Sequence, residues 1–361
     1  MTQKHKLAYL DSLRGIASLI VVISHLSLIY FPFLHNFDSA PISDEFATQR
    51  WIHNSPFGFF YSGTSAVFVF FVMSGIVLSL SASSKNIPLY KNIAARYIRL
   101  GIPAAMSCLV AYFAYVLVNH YHLAQSDNYI NDAFEIKNAG FLNALYYGLV
   151  RSIFYLRGSM EYNPVLWTMA IEFYGSLALF IAYKQKHPLR VMFIIAILFM
   201  AINTTVFLGI FSFYIGMLIK EKFSEYKNNA VSLLLIILGL YFAGIHTSSL
   251  SYSYIANLAG KHSYDIFNFI SGVLIVLGVM SNTTIQRFLS HSFLVWFGSL
   301  SFPLYLIHWA TIYVFSNLFY LYGFESSLIN SVAIIVISIL IASIFVKVDT
   351  ISIKLSKKIK Q

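Results

Sequence analysis

Long apolar stretches recur along the whole chain and constrain its fold more than any other feature. A helix needs roughly 20 apolar residues to cross the hydrocarbon core of a bilayer. Charged residues make up only 11% of the 361 residues, against about 25% in a soluble domain, so lipid must be the main solvent. The sequence therefore predicts an all-α integral membrane protein with about ten transmembrane helices in a single membrane-embedded domain, residues 1–361. The candidate spans are 13–34, 57–80, 100–119, 164–183, 189–206, 208–219, 230–247, 264–280, 293–318 and 328–347.

The distribution of basic residues predicts the orientation of the chain. The formal net charge is +10, but the lysines and arginines lie in short segments between apolar stretches, as in cytoplasmic loops rather than in a nucleic-acid-binding surface. Lys4 and Lys6 precede the first span, and basic residues also fill the loop 184–190 and the tail 354–360. We therefore place both termini in the cytoplasm and expect no nucleic-acid partner. No clear cleavage site follows before Pro32, so we expect no cleavable signal peptide.

An eleventh apolar segment, 141–156, contains Arg151 and ends beside Arg157. If this segment crossed the bilayer, the basic loop 184–190 would lie outside, against the tendency of basic loops to stay in the cytoplasm. We therefore predict that segment 141–156 stays at the outer face, or dips into the bilayer and returns.

Three ionisable side chains are predicted at a similar depth inside the bilayer, where a charge costs roughly 2.5–3.5 kcal/mol on insertion scales. His25 lies eleven residues beyond Arg14, close to three helical turns, so both side chains project from nearly the same face, about 16 Å apart along the axis. Counting about 1.5 Å per residue puts Glu172 about 12 Å below the outer face and His308 about 22 Å above the inner face. Two imidazoles and a carboxylate at one level are suited to acid–base chemistry.

Each of these residues also has a structural interpretation. His25 or His308 can simply hydrogen-bond another helix. Glu172 can be the partner of an arginine, and Arg14 can mark the orientation of its helix near the inner end. The basic residues of 85–99 can be topology determinants, or with Arg14 they can bind an anionic ligand that enters from the cytoplasm. The residues alone leave these alternatives open.

Five motifs, in chain order, resemble the membrane-bound acyltransferase family 3, which includes bacterial O-acetyltransferases of surface polysaccharides. The hallmark of that family, an arginine and a histidine separated by ten residues, is matched by Arg14 and His25. The other four motifs are Phe70-Phe71-Val72-Met73-Ser74-Gly75, Arg96-Tyr97-Ile98-Arg99 ahead of Pro103, Leu166-Trp167-Thr168-Met169-Ala170-Ile171-Glu172-Phe173, and Ser301-Phe302-Pro303-Leu304-Tyr305-Leu306-Ile307-His308.

The chain departs from the family pattern at a few positions. Thr168 and Met169 stand where Ser-Leu is commoner, and Thr64 stands where many members have a histidine. Pro303 lies inside a predicted span, which it should kink. Some members carry an additional extracytoplasmic hydrolase-like domain, and we expect none here because the chain ends soon after its last span.

The resemblance implies transfer of an acyl group, first of all acetyl, from cytoplasmic acetyl-CoA to a hydroxyl of an extracytoplasmic glycan such as O-antigen or capsule. It implies acyl-CoA as a co-substrate with no bound cofactor, a carbohydrate or lipid-linked glycan as the acceptor, and the bacterial cytoplasmic (inner) membrane, whose lipids surround the protein. No metal is expected, because the histidines lack ligand spacing with carboxylates on one helix. The expected catalytic residues are His25 as general base, Arg14, Glu172 and His308. The expected substrate-binding residues are Lys91, Arg96, Arg99, Ser74, Trp167 and Tyr305.

Two other functions fit parts of the sequence. A proton-coupled transporter or flippase would use intramembrane glutamate and histidine as a proton relay, although we find neither the inverted repeats nor the paired broken helices common in such folds. An acyltransferase that acts on a lipid or a small molecule would carry the same motifs, so the sequence does not separate the acceptors.

Overall fold

The computed structural model describes residues 8–35, 46–83, 87–123, 134 and 136–361. The predictions that concern Lys4, Lys6 and Lys85 lie outside these residues. Within the described ranges the regular structure is helical and includes no strand. The helices are α1 (Ala8–Tyr30), α2 (Ala47–His53), α3 (Gly63–Ser83), α4 (Leu89–His120), α5 (Phe141–Tyr146), α6 (Trp167–Ala182), α7 (Pro188–Leu198), α8 (Thr204–Lys222), α9 (Asn229–Ala243), α10 (Ser263–Ser281), α11 (Thr283–Leu289), α12 (Ser292–Ser299), α13 (Ser301–Leu321) and α14 (Ser327–Lys360).

The prediction of an all-α integral membrane protein is confirmed. Among the described residues, eight helices are long and apolar enough to cross a bilayer: α1, α3, α4, α6 with the preceding turn Pro164–Leu166, α8, α10, α13 and α14. Two further predicted spans form helices that are shorter, since α7 has 11 residues and α9 has 15. At about 1.5 Å per residue these two fall short of the roughly 30 Å hydrocarbon core.

The boundary between two neighbouring predicted spans lies at Asn203. The side-chain oxygen of Asn203 accepts a hydrogen bond from the backbone N–H of Val206 at 2.8 Å and so caps the first turn of α8. This cap explains why α8 begins at Thr204 and reaches 19 residues, whereas the sequence predicted only the stretch 208–219.

The predicted span 293–318 consists of two helices, α12 and α13, separated by Leu300. Pro303 lies in the first turn of α13, where a backbone N–H has no partner within the helix and a proline is tolerated. The expected kink at Pro303 is therefore replaced by a helix break ahead of it.

Segment 141–156 is a short helical element. The α5 helix continues through a turn of π-helix, Tyr147–Arg151, and a last turn, Ser152–Phe154. The helical residues 141–154 are fewer than the roughly 20 needed for a crossing, in keeping with the predicted non-crossing segment.

The described residues form two compact units, each built from separate stretches of the chain. Unit one lies within residues 1–27, 31–86 and 174–299, and its core is formed by α3 against α8 and α10, with α9 packed on α10. Unit two lies within 28–30, 87–173 and 300–361, and its core is formed by α4, α13 and α14, with the 141–154 element packed on α4. One membrane-embedded domain over the whole chain stays a prediction.

Candidate functional site

The predicted site residues are divided between the two units. Unit one carries Arg14, His25 and Ser74. Unit two carries Lys91, Arg96, Arg99, Trp167, Glu172, Tyr305 and His308. Each unit thus holds part of the predicted chemistry on its own helices.

The α1 helix of unit one presents Arg14 and His25 on nearly one face. The helix is unbroken from Ala8 to Tyr30, so the eleven residues between the two positions correspond to about three turns of a continuous helix. The guanidinium of Arg14 lies 3.7 Å from the carboxylate of Asp11, a partly exposed pair one turn apart. Both Arg14 and His25 are partly buried in this unit.

The Ser74-Gly75 part of the second motif lies where α3 packs tightly on α8. A Cβ atom added to Gly75 would lie 2.5 Å from the carbonyl oxygen of Phe213, and one added to Gly216 would lie 2.2 Å from that of Val72. Real Cβ atoms do not come so close to a backbone oxygen, so this helix contact requires glycine on both sides. Ser74 is buried beside this contact.

A buried ion pair joins two of the predicted residues of unit two. Arg96 of α4 donates a hydrogen bond to the carboxylate of Glu172 of α6, and their side chains are only 17% and 11% exposed. The structural interpretation, that Glu172 is the partner of an arginine, is therefore confirmed. A pair of this kind fixes the orientation of both side chains, because a buried charge without a partner is strongly unfavourable.

The second arginine of the basic motif is held by a residue that the sequence analysis missed. Arg99 forms an ion pair with Asp349 of α14, lies 3.3 Å from the hydroxyl of Ser352, and stacks at 5.1 Å over the ring of Phe302. The sequence could have indicated this partner, because Asp349 is the one acidic residue after Glu325 and lies in an apolar helix, where a carboxylate needs a cationic partner. Lys91, in the first turn of α4, makes no ion pair with any residue that the structure describes.

Tyr305 of α13 is fixed against the start of α6. Its hydroxyl lies 2.9 Å from the carbonyl oxygen of Val165 and 3.0 Å from the hydroxyl of Thr168. Thr168 itself donates to the same carbonyl oxygen at 3.0 Å. The departure from the family pattern at Thr168 therefore keeps the hydroxyl group that makes these bonds. Trp167 begins α6 beside this cluster and is partly buried.

His308 is fully buried in α13 with a defined proton position. Its Nδ1 atom lies 3.1 Å from the carbonyl oxygen of Leu304, one turn earlier. A carbonyl oxygen only accepts, so Nδ1 carries the proton and Nε2 is the basic nitrogen of the neutral ring.

Asn163 is a second polar residue that the sequence analysis did not single out. Its side-chain amide donates to the carbonyl oxygen of Leu306 at 2.8 Å and to the hydroxyl of Ser107 at 3.2 Å. These bonds attach the turn ahead of α6 to α13 and to α4. Together with Tyr305, Asn163 places the N-terminal part of α6, which carries Glu172, against α13 within unit two.

Unit one also contains a cluster of three histidines that was not predicted. The ring centroids of His35 and His53 lie 5.7 and 5.3 Å from that of His246, and Tyr61 packs on His35 at 5.0 Å. His53 is buried and bonds the carbonyl oxygen of Leu34 and the hydroxyl of Ser248, both at 3.1 Å. The three rings come from distant chain segments, so spacing along the sequence carries no sign of them.

Comparison with known proteins identifies the class of this chain. The family model described as an acyltransferase domain matches residues 7–347, nearly the whole sequence. Neither the curated proteins nor the solved structures give a match. The family model covers all five motifs and every helix that carries a predicted site residue, so the chain belongs to the membrane-bound acyltransferase family 3.

Proposed function

We propose that this acyltransferase moves an acetyl group from cytoplasmic acetyl-CoA to a hydroxyl of an extracytoplasmic glycan, such as a surface polysaccharide, across the bacterial inner membrane. The observation that carries the proposal is the arrangement of buried ionisable groups in unit two. Glu172 and His308 lie in apolar helices, and each is oriented by a defined hydrogen-bond partner. Buried ionisable residues in membrane helices usually mark a functional site.

The donor is proposed to bind through the basic residues of α4 at the cytoplasmic side. Phosphate groups of coenzyme A need cationic partners, and Lys91, Arg96 and Arg99 lie within three turns of one helix. Arg96 and Arg99 already pair with Glu172 and Asp349, so the phosphates would share these guanidinium groups with the carboxylates. The pantetheine arm is proposed to pass Arg14 and Ser74.

His25 is proposed as the general base. It would take the proton of the acceptor hydroxyl as the oxygen attacks the thioester carbonyl carbon, a C–O bond forms, and the C–S bond breaks. The proton then passes to the departing thiolate, so coenzyme A leaves as a thiol. General-base catalysis of this kind contributes about 10²–10⁴-fold. His308, Tyr305 and Trp167 are proposed to contact the substrates, and Glu172 is proposed to bind the acceptor.

Radiolabelled acetyl-CoA added to membranes that contain the full-length chain tests this proposal. We expect label in the glycan fraction, a loss of about 10²-fold or more for His25→Ala, and little change for His291→Ala, an exposed histidine that serves as the matched control. Normal labelling by His25→Ala at an equal protein level would exclude the proposed base. Label that appears only in lipid or in a small molecule would exclude the glycan acceptor.

The donor assignment needs a binding measurement. Lys91→Ala, and Arg96→Ala combined with Arg99→Ala, should each weaken acetyl-CoA binding to the purified protein in detergent. The double variant also breaks two ion pairs, so Lys91→Ala is the cleaner test. Unchanged affinity in both variants would place the donor site elsewhere.

A further inference from the structure

Arg151, at the end of the π-helical turn, is held in a tyrosine clamp. Its Nε–H donates to the carbonyl oxygen of Ser159 at 3.0 Å. The guanidinium carbon lies 5.3 Å from the ring centroid of Tyr147 and 5.3 Å from that of Tyr155. A guanidinium over an aromatic face is held electrostatically, so one hydrogen bond and two ring faces fix the orientation of the group.

The backbone of the following loop is shaped around this guanidinium. Gly158 has a φ of +102°, a conformation that side-chain-bearing residues rarely adopt. A Cβ atom at Gly158 would lie 2.5 Å from Nη2 of Arg151. The backbone conformation therefore favours glycine at this position, and a larger residue there would displace the guanidinium of Arg151.

The hydrogen-bonding capacity of the clamped arginine is only partly used. Among the residues that the structure describes, no acceptor bonds its terminal Nη atoms and no carboxylate forms an ion pair with it. The acidic side chain of Glu161 lies near the clamp, but it interacts with the phenol of Tyr147. Burial and then this carboxylate raise the pKa of the Tyr147 phenol to about 12. The Nη edge of the guanidinium is thus a pre-oriented set of donors that bonds no acceptor among the described residues.

We propose that the clamp formed by Arg151, Tyr147 and Tyr155 binds an anionic oxygen group, a carboxylate or a phosphate, carried by the glycan acceptor. The planar fork of arginine matches such a group with two parallel N–H···O bonds. Tyr155 and Tyr146 are 43% and 41% exposed, and their rings offer faces on which sugar rings can stack. The charge pattern predicts that this element lies at the outer face, where an extracytoplasmic acceptor would arrive. The inference deepens the proposed function and rests on it for the identity of the acceptor.

Binding measured without acetyl-CoA separates this inference from the transfer reaction. The full-length protein in phosphatidylcholine nanodiscs is titrated with a short oligogalacturonate and with its neutral methyl ester, which has the same sugar rings. We expect the wild-type chain to prefer the anionic probe by about tenfold or more, the range of a charged hydrogen bond. Arg151→Ala and Gly158→Ala should lose this preference. Arg157→Ala should keep it, because Arg157 is exposed and stacks on no ring in the part of the chain that the structure describes.

Two further arms keep the result interpretable. Arg151→Lys retains the positive charge but lacks the planar guanidinium, so it should lose most of the preference for the anionic probe. This conservative variant shows that a loss in Arg151→Ala is not caused by misfolding. Equal affinities of the wild-type chain for the two probes, or an equal loss in Arg157→Ala, would overturn the clamp as an anion site. If phosphatidylglycerol nanodiscs abolish the wild-type preference, a lipid headgroup occupies the clamp and the acceptor assignment is overturned. Normal probe binding without any acetyl transfer would count against the proposed function alone.

Discussion

Arg96 and Glu172 form a buried ion pair that joins α4 to α6 across 76 positions of sequence. Both residues belong to motifs of the acyltransferase family, and their pairing means that each restrains the other. A variant at either position therefore disturbs the packing of unit two in addition to the substrate contact proposed for its charge.

Removal of one partner of this ion pair should destabilise the protein. We expect Arg96→Ala or Glu172→Ala to lower the free energy of unfolding by about 3–5 kcal/mol, because a buried charge is left without its counter-charge. Thermal unfolding of the purified protein in detergent measures this loss.

The control for the ion pair is the exchanged pair, Arg96→Glu with Glu172→Arg, which should recover part of the stability that each single reversal loses. If the exchanged pair is as unstable as the sum of the single variants, the contact contributes no coupling. Glu172→Gln then separates the roles, since a stable but inactive variant assigns the carboxylate a part in the reaction.

Gly216→Ala should disrupt the contact between α3 and α8. The added methyl group would lie 2.2 Å from the carbonyl oxygen of Val72, so the helices must separate. We expect a loss of about 1–3 kcal/mol, the usual range for overpacking, measured by thermal unfolding in detergent. Gly140→Ala is the matched control, because a Cβ atom there meets nothing within 4 Å. Equal unfolding midpoints for the two variants would show that the contact is not tight.

The hydroxyl at position 168, rather than the identity of the residue, should matter. Thr168→Ser keeps the bonds to Val165 and Tyr305 and should retain both stability and acyl transfer. Thr168→Val removes the hydroxyl at nearly constant volume and should cost about 1 kcal/mol in unfolding free energy. Comparison of the two variants by thermal unfolding and by labelling with acetyl-CoA tests this. A valine variant that matches the serine variant in both assays would contradict it.

The histidine cluster of unit one should make stability depend on pH. Burial, with the neighbouring His246 and His53, lowers the pKa of His35 to about 3, and burial, opposed in part by a bond to the carbonyl of Gly244, lowers that of His246 to about 4. Below about pH 6.5 the unfolded chain binds protons that the folded chain does not, so stability is full above that pH and falls as the pH decreases toward 4. Tyr61 and Tyr264, which complete the cluster, stay neutral throughout this range.

Thermal unfolding of the purified protein between about pH 7.5 and pH 5 measures this dependence. His246→Gln removes one buried imidazole and should flatten the curve, whereas His291→Gln, at an exposed position, should leave its slope unchanged. A wild-type unfolding midpoint that does not fall with decreasing pH would show that the cluster is accessible to protons in the folded state.

Several features of the fold were accessible from local sequence. The apolar stretches predicted the membrane class and the approximate helix positions, because composition and helix length are properties of a short window. The regular spacing of Arg14 and His25 along α1 survives in the structure for the same reason. The short 141–154 element agrees with the prediction, drawn from the basic loop 184–190, that this segment does not cross the bilayer.

Tertiary structure alone decided which charged groups meet. Asp349 lies 250 positions from Arg99, and its role as the partner of that arginine follows from the packing of α14 on α4. The same holds for His35 and His53, which lie against His246 although the three residues come from separate segments of the chain. Residue type and spacing predict where a helix forms and which residues are costly to bury. They do not predict the partner that offsets the cost, because that partner is chosen by contacts between helices distant along the chain.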